Sequence, residues 1–457
     1  MEIEAVKELL KTSAIAHGKF VRDAEEAERY YRNETDILKR GAVVRKECDD
    51  PLRNADNRIP SNFHGLLVNQ EAAYGFSDPP MFDLGNDAAN KRLREILGDR
   101  YAKFCKDMCI NASNCKVAWA HVWKDDDNHP QYAAIDPKQI IPFWTNDLNR
   151  KLSAVIRSYV ELLDDGKRYE IIEVWTDTEC AVYRKLVTAG TYRTIQPHFV
   201  FGREEPTNVY RHEFGLVPFI PFFNNNVPSN DLKNIKSLID AYDKVYSGFL
   251  NDLEDIQEVI FILSGYSGTD LDEFTGALKK YKTVKLDDAG DSSGGLTTLT
   301  IDIPVEAREK MLNMTRKAIF EQGQGIDPDP ANFGNSSGVA LGYLYSLLEL
   351  KMGLKETEFR LGFGELIRVL GKFGGFEVGE IRQTWTRTRV TNDTELADIA
   401  QKSVGIISDK TIIERHPWVE DVEEEKKRLE NQKAKEDTVY KDAFPPADPI
   451  EGDGDEE

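Results

Sequence analysis

The stretch Asn230–Glu258, NDLKNIKSLIDAYDKVYSGFLNDLEDIQE, carries apolar residues at Leu232, Ile235, Ile239, Tyr242, Tyr246, Phe249, Leu253 and Ile256, and the rhythm runs on to Ile260. The steps alternate three and four without a miss, so one apolar stripe follows a single helix. At 1.5 Å per residue the rod is roughly 40 Å long. Pro228, Ser229 and Asn230 supply its start signals. Its opposite face (Lys233, Lys236, Asp240, Asp243, Lys244, Asn251, Asp252, Glu254, Asp255) carries mixed charge that turns acidic toward the far end. Val259–Tyr266 (VIFILSGY) then switches to β-branched and aromatic types, and a second helix resumes after Pro304, over Val305–Gln322. Between them Leu271–Tyr281 reads as helix, Thr283–Leu286 and Leu296–Ile301 as strands, and Asp287–Gly295 as a flexible turn. A rod that leaves, turns through a compact tip and returns predicts a structural strut, not the wall of a catalytic pocket.

Upstream of the strut, residues 1–115 read as mostly helical. Glu25–Tyr31 lies in one helix and Asp87–Met108 in another, with Leu93, Ile96, Leu97, Tyr101 and Phe104 on its apolar side. From Lys116 to Phe223 the period drops to two in VAWAHVWK, AVIRSYVEL, YEIIEVWT and AVYRKLV, which predicts an antiparallel meander. It closes with HEFGLVPFIPFFNNN, whose prolines suit an edge strand or a loop. Downstream, Gly323–Gly338 is a loop rich in Gly, Asn, Pro and Ser. A long helix follows over Val339–Lys372, and glycines at 342, 353, 362 and 364 predict a kink in it. Ile381–Val390 alternates like a strand. Asn392 with Glu395, then Ser408, mark further helix starts, and an acidic-then-basic helix begins at Asp421. From Asp437 the chain is acidic and Pro-rich and is expected to be disordered.

The 457 residues and 51.9 kDa imply several packing units. No run of about eighteen apolar residues predicts a membrane span, and the first residues lack the pattern of a signal peptide. Five cysteines, at 48, 105, 109, 115 and 180, make no disulfide framework and suit a reducing cytoplasm. Cys105, Cys109 and Cys115 lack a fourth ligand at usable spacing, and the acidic turns Asp125–Asp127 and Asp287, Asp288 and Asp291 do not follow EF-hand order, so neither a metal nor a cofactor is expected. The net charge of −21 and pI near 4.9 argue against tight, sequence-independent binding to nucleic acid. Gly334–Gly338 (GNSSG) matches G-x-S-x-G, which would make Ser336 a nucleophile. The strand that must precede it is replaced by DPDPANF, and only His416 follows as a base. A loop with Ser336 or Ser337 capping the next helix is the favoured reading. A serine hydrolase and a cytosolic scaffold that forms no ring are the alternatives.

Several short motifs occur in a shared order. Tyr30-Tyr31 with Asp36-Ile37-Leu38, Asn57-Arg58-Ile59, Asn62-Phe63 and Tyr74-Gly75-Phe76 come first, although Ser77-Asp78 stands before the Pro79-Pro80 pair where Gly is usual. Gly215-x-Val217-Pro218 with Phe223-Asn224-Asn225, then Asp240-Ala241-Tyr242, Ser247 and Asn251-Asp252, follow. Ser337-Gly338-Val339-Ala340-Leu341 with Leu348-Glu349 and Lys351, Ile407-Ser408, and EEE-x-x-RLE complete the series. Over roughly residues 25 to 435 the chain resembles the portal proteins of tailed bacteriophages, the head-to-tail connectors.

That resemblance implies an α+β, mainly helical portal fold with wing, stem, clip and crown parts, a β-rich meander in the wing and a small α/β clip. The expected divisions are a wing at 1–228, stem helices at 229–258 and 304–326, and a clip at 259–303. A tunnel loop is expected at 327–338, a long helix and returning wing strand at 339–392, crown helices at 393–436, and a tail at 437–457. It implies a ring, usually of twelve subunits, around a channel for double-stranded DNA that is touched only transiently. Terminase, a head-completion or tail adaptor, and the major capsid and scaffolding proteins would be the partners. The ring would sit in the virion after assembly in the host cytoplasm, and no catalysis is implied. Asp327, Asp329, Asn332, Phe333, Asn335, Ser336 and Ser337 would line the tunnel loop. Tyr242, Tyr246, Phe249, Leu253, Met311 and Arg316 would belong to the stem, and Val259, Phe261, Leu263 and Tyr281 to the clip.

Overall fold

The computed structural model describes residues 2–39, 55–256 apart from 126, 149, 190–191, 203–204 and 213, then 260–263, 296–299, 303–329, 338–387, 393–415, 419, 422 and 425–432. At 255–256, 260–263, 296–299, 338–341, 393–397, 410 and 414–415 only the backbone is described. The chain divides into two compact units, Met1–Pro328 with Tyr345–Thr388, and Asp329–Leu344 with Arg389–Glu457. Helices and antiparallel sheets together make it an α+β protein. No helix among the described residues is long and apolar enough to cross a membrane.

The first unit opens with α1 (Ile3–Tyr31) and the short α2 (Asp36–Lys39). α1 buries Val6 and Leu10 at one end and Ala27 and Tyr30 at the other, so its two ends serve different cores. α3 (Phe63–Phe76) is buried nearly all round, as its run of apolar and small residues dictates. α4 (Asp87–Leu97) and α5 (Tyr101–Cys115) replace the single helix expected over Asp87–Met108. The break falls at Gly98, whose φ of +58° ends α4 while its N–H bonds back to Arg94 O at 3.0 Å. Periodicity continued through the break because Leu97, Tyr101 and Phe104 all face the same core.

The β region is two sheets, where a single meander was expected. β2 (Val117–Lys124) is the centre of a three-stranded antiparallel sheet, between β3 (Pro130–Ile135) and β10 (Phe219–Phe223). Pro221 therefore sits on an edge strand, as its missing N–H requires. The larger sheet runs β4 (Ile140–Trp144), β5 (Leu152–Leu162), β6 (Arg168–Trp175), β7 (Glu179–Leu186) and β8 (Gln196–Pro197), with β9 (Val209–Arg211) also on β7. One face of it takes Val6 and Leu10 of α1 over Ile156, Ile172, Val174 and Tyr183.

α6 (Lys236–Ile256) and α7 (Val305–Gly323) form an antiparallel pair, and between them β11 (Ile260–Leu263) pairs with β12 (Leu296–Leu299). The helix–strand–helix excursion read from the sequence is thus present, with residues 264–295 outside the described part. α8 (Gly338–Gly374) runs as one helix with no break at its glycines. Its second half packs Phe359 and Phe363 into the largest core, against Phe76, Phe222 and Met108. The strand expected over Ile381–Val390 shortens to β13 (Arg382–Thr384), which pairs with β1 (Met81–Asp83).

The second unit contains α9 (Asp393–Lys402) and α10 (Asp409–Arg415). Ser408 Oγ accepts the Thr411 N–H at 3.4 Å, as its place before α10 predicts.

Candidate functional site at the root of the hairpin

The long stripe is core only where it begins. Leu232, Ile235 and Ile239 are buried against Ile319 and Phe320 of α7 and against Leu67, Ala27 and Tyr30. Farther along α6, Tyr242 is half-buried, while Tyr246 and Leu253 face solvent in the single chain. Phe63 meets the Tyr242 ring edge-on at 4.9 Å, and Tyr246 stacks on Tyr242 at 6.1 Å. From α7, Arg308 pairs with Asp252 and lies 5.4 Å over the Phe249 ring.

The charged face of α6 is not left to solvent along its length. Asp243 is fully buried and accepts from Thr35 Oγ1 at 2.5 Å. Asn251 Oδ1 accepts the Asn57 N–H at 2.6 Å, Ser247 Oγ accepts the Ile59 N–H at 3.0 Å, and the Tyr30 hydroxyl donates to Asp240. The segment crossing the helix is itself polar, and its hydroxyl and backbone donors need acceptors once water is excluded. Lys236 completes this buttress, 2.6 Å from Asp36 and 2.9 Å from Asp240. Burial alone would raise the Asp36 carboxyl, but Lys236 and Arg29 against it hold it at about 2.

Where α7 ends, three devices fix the chain. Gly323 lies so near Leu67 that a Cβ there would come within 2.5 Å of Leu67 Cδ1. This glycine permits close packing; a role in loosening the loop is not what its surroundings favour. The Gln70 side chain then brackets Ile326, donating to its carbonyl at 2.7 Å and accepting its N–H at 3.0 Å. Arg316 grips Asp327 through Nη2 at 2.6 Å and Nε at 3.2 Å. Asp327 is therefore charge-compensated by the returning helix.

Beneath this exit lies a buried cluster of two acids and two lysines. Lys355 Nζ stands 2.7 Å from Glu71 Oε1 and donates to Ser113 Oγ at 2.6 Å. Lys351 bridges Glu71 at 3.1 Å and Asp231 at 2.9 Å, and Asn224 donates to Asp231 at 2.7 Å. Glu71 and Lys355 are fully buried. Burial opposes charge on Asp231, yet Lys351 and Lys355 outweigh it and hold the carboxyl well below its ordinary range. Burial opposes charge on the lysines too, but Asp231 and Glu71 raise Lys351 above its ordinary range, and Cys109 with the two acids raises Lys355. The four charges cancel, which offsets the cost of burying them. It joins α3, α5, the 3-10 turn Asp231–Asn234 that opens α6, and α8. Nearby, burial pushes His64 down to about 4, so its imidazole is neutral beside Asn114 Oδ1 at 2.9 Å.

Of the residues singled out in the sequence, this joint brings together Arg316 and Asp327, with Tyr242 on the helix above. Met311 is exposed on α7. Asp329 is exposed and belongs to the second unit. Phe261 and Leu263 lie on β11, where only the backbone is described. Asn332, Phe333, Asn335, Ser336, Ser337, Val259 and Tyr281 fall outside the described residues, as does His416, so the GNSSG reading gains no geometry. Among the described residues, no cluster of His, Cys, Asp or Glu could hold a metal ion. Sequence reasoning passed over Glu71, Gln70, Asp231 and Lys355. A signal existed: Lys351 and Lys355 stand one helical turn apart, and Lys355 repeats in phase with Leu348, Met352 and Phe359 on the apolar side of α8.

Fold and joint together define a class: an α+β subunit whose antiparallel helix pair is anchored at its base by buried polar and charged contacts. Comparison with known proteins narrows that class. The family described as phage portal protein, SPP1 Gp6-like, matches residues 14–438. The portal protein of Clostridium phage phiCD119 is 42% identical over 97% of this chain and 99% of its own length. That of Bacillus phage SPP1 is 31% identical over 88% of this chain and 82% of its own. The chain belongs to the SPP1 Gp6-like family of phage portal proteins.

Proposed function

We propose that the chain assembles into a ring of about twelve copies at one capsid vertex. There it is a passive conduit for double-stranded DNA during packaging and ejection, and a platform for terminase and then for a tail adaptor. The observation that carries this reading is kinship with portal proteins along nearly the whole chain. In this reading α6 and α7 are the stem, residues 259–303 the clip, and the two sheets with α1–α5 and β13 the wing. Residues 327–338 are the tunnel loop, and the helices after residue 392 the crown. The exposed Tyr246 and Leu253 on the outer part of α6 suit contact with neighbouring subunits.

A conduit must not hold what passes through it. Clustered Lys and Arg would release counterions and raise affinity for the phosphate backbone. A subunit charge of −21, and a loop from Asp327 to Ser337 without a basic residue, support low adhesion. Asn332, Asn335, Ser336 and Ser337 would offer short-lived polar contacts, with Phe333 as an anchor. Arg316 compensates Asp327 without adding a free cation at that point.

Native mass spectrometry with negative-stain imaging tests the ring. An annular particle of about 620 kDa is expected from twelve subunits of 51.9 kDa. A particle no larger than a dimer overturns the reading. The conduit is tested separately, because the ring should bind duplex DNA weakly at physiological salt. Deleting residues 259–303 should abolish terminase docking or ring stability; rings that still package DNA refute the clip assignment.

A further inference from the structure

Beside the buried charges lies a chamber of about 90 Å³. Asn224 and Asn225 line it from the loop after β10, Gln322 from the end of α7, and Lys351 and Lys355 from α8. Asn224 is 3% exposed. The side-chain oxygens of both asparagines are buried and accept no hydrogen bond among the described residues. A reversed amide relieves neither. Asn224 Nδ2 donates to Ser229 O at 3.1 Å and to Asp231 Oδ1 at 2.7 Å, and Asn225 Nδ2 donates to Ser229 O at 3.2 Å. Turned round, each amide would set oxygen against oxygen. Buried acceptors of this kind are exceptions in native proteins and call for a partner. The walls also hold a spare donor. Lys351 turns two of its three N–H groups toward Glu71 at 3.1 Å and Asp231 at 2.9 Å, which leaves one.

We infer that the chamber binds a cluster of ordered water, about three molecules at roughly 30 Å³ each. The chemistry of the walls selects this occupant. It must donate to two carboxamide oxygens and accept from Lys351. Water does both, whereas a metal ion cannot accept and a halide cannot donate. Charge decides the same way. The ionised groups of the walls are Glu71, Asp231, Lys351 and Lys355, two of each sign. A cation would sit beside two ammonium groups with no carboxylate left over. An anion would face the two asparagine oxygens, and both lysines are already held by the acids. The volume is also far below the roughly 300 Å³ at which organic ligand pockets begin. The cluster therefore bridges Asn224 and Asn225 to Lys351, and joins the loop before the hairpin to α8 through water.

The test is a crystal structure of the full chain, fine enough to show ordered water, determined once from sodium chloride and once from rubidium bromide. Both should show water peaks within hydrogen-bond distance of Asn224 Oδ1, Asn225 Oδ1 and Lys351 Nζ, with no anomalous signal among them. A rubidium peak in the chamber would make it a cation site and a bromide peak an anion site; either overturns the inference. So does a chamber without density, or a side chain turned inward to fill it. The Asn225→Leu variant should lose the peak nearest residue 225 and keep the others; a full set of peaks would show that the oxygen does not hold the water. Should that variant lose its fold, the wild type still decides in solution. Its melting midpoint should be the same in sodium, potassium and rubidium chloride at one ionic strength. A shift specific to one cation, abolished in Asn225→Asp or enlarged by it, points to a bound metal ion and overturns the assignment to water.

Discussion

At the scale of single residues, the buried cluster makes the sharpest demands. Lys355→Met removes one charge from a buried site and leaves Glu71 with Lys351 as its remaining cation. Breaking a buried pair from one side costs about 3–5 kcal/mol, whereas removing both partners is often nearly neutral. Lys355→Met should therefore lose about 3 kcal/mol in urea unfolding, and Glu71→Gln with Lys355→Met should recover most of it. Asp36 gives a pH signature. Its carboxyl is held at about 2, below the ordinary 3.8. A depressed acid contributes stability that is complete above the unfolded value and is lost as pH falls through the folded one. The unfolding midpoint should thus drop between about pH 5 and pH 2, and Asp36→Asn should flatten that drop while weakening the protein at pH 7. The lysines of the cluster left a trace in the spacing of α8, but the pairing of Asp36 left none. Asp36 pairs with Lys236 across 200 positions, and no local period announces such a partner.

At the scale of elements, the hairpin was the most legible feature and also the most instructive. Its two helices and its strand tip follow from local chemistry, because period and propensity are short-range, whereas Asn230 caps a 3-10 turn and the α-helix expected from there begins only at Lys236. What periodicity could not reveal is how burial changes along one uninterrupted stripe. Ile239 lies in a sealed core and Leu253 lies open, although both occupy equivalent positions in the repeat. Ile239→Ala should cost about 3 kcal/mol in the dissociated subunit. Leu253→Ala should cost under about 1 kcal/mol there. Chemical unfolding of monomer preparations compares the two directly. The exit from the hairpin makes a further claim. Arg316→Ala frees Asp327 from its clamp, while Gln70 still holds Ile326. Hydrogen exchange should then rise at Asp327 and beyond, and stay unchanged at Gly325 and Ile326; faster exchange across all three would mean the clamp and the bracket act as one. The helix split at Gly98 was missed for the opposite reason, since apolar spacing carried on across a break that only a positive φ reveals.

At the scale of the whole molecule, the ordered motifs pointed to the portal family and the comparisons place the chain there. The division of the β region into two sheets was not legible, because alternation states which residues face inward but not which sheet a strand joins. The cancellation of charge in the Glu71, Asp231, Lys351 and Lys355 cluster has one further consequence, for ionic strength. Dissolved ions screen charges that water reaches, and the screening length shrinks from about 10 Å at 0.1 M salt to about 3 Å at 1 M. Glu71 and Lys355 are buried, so screening acts on their pair far less than on an exposed one. The penalty of Lys355→Met should therefore be the same at both salt concentrations, while that of Lys317→Ala, whose pair with Glu321 is exposed, should vanish at the higher one. Concentrated salt becomes a reagent that silences the rim of this subunit and leaves its joint untouched.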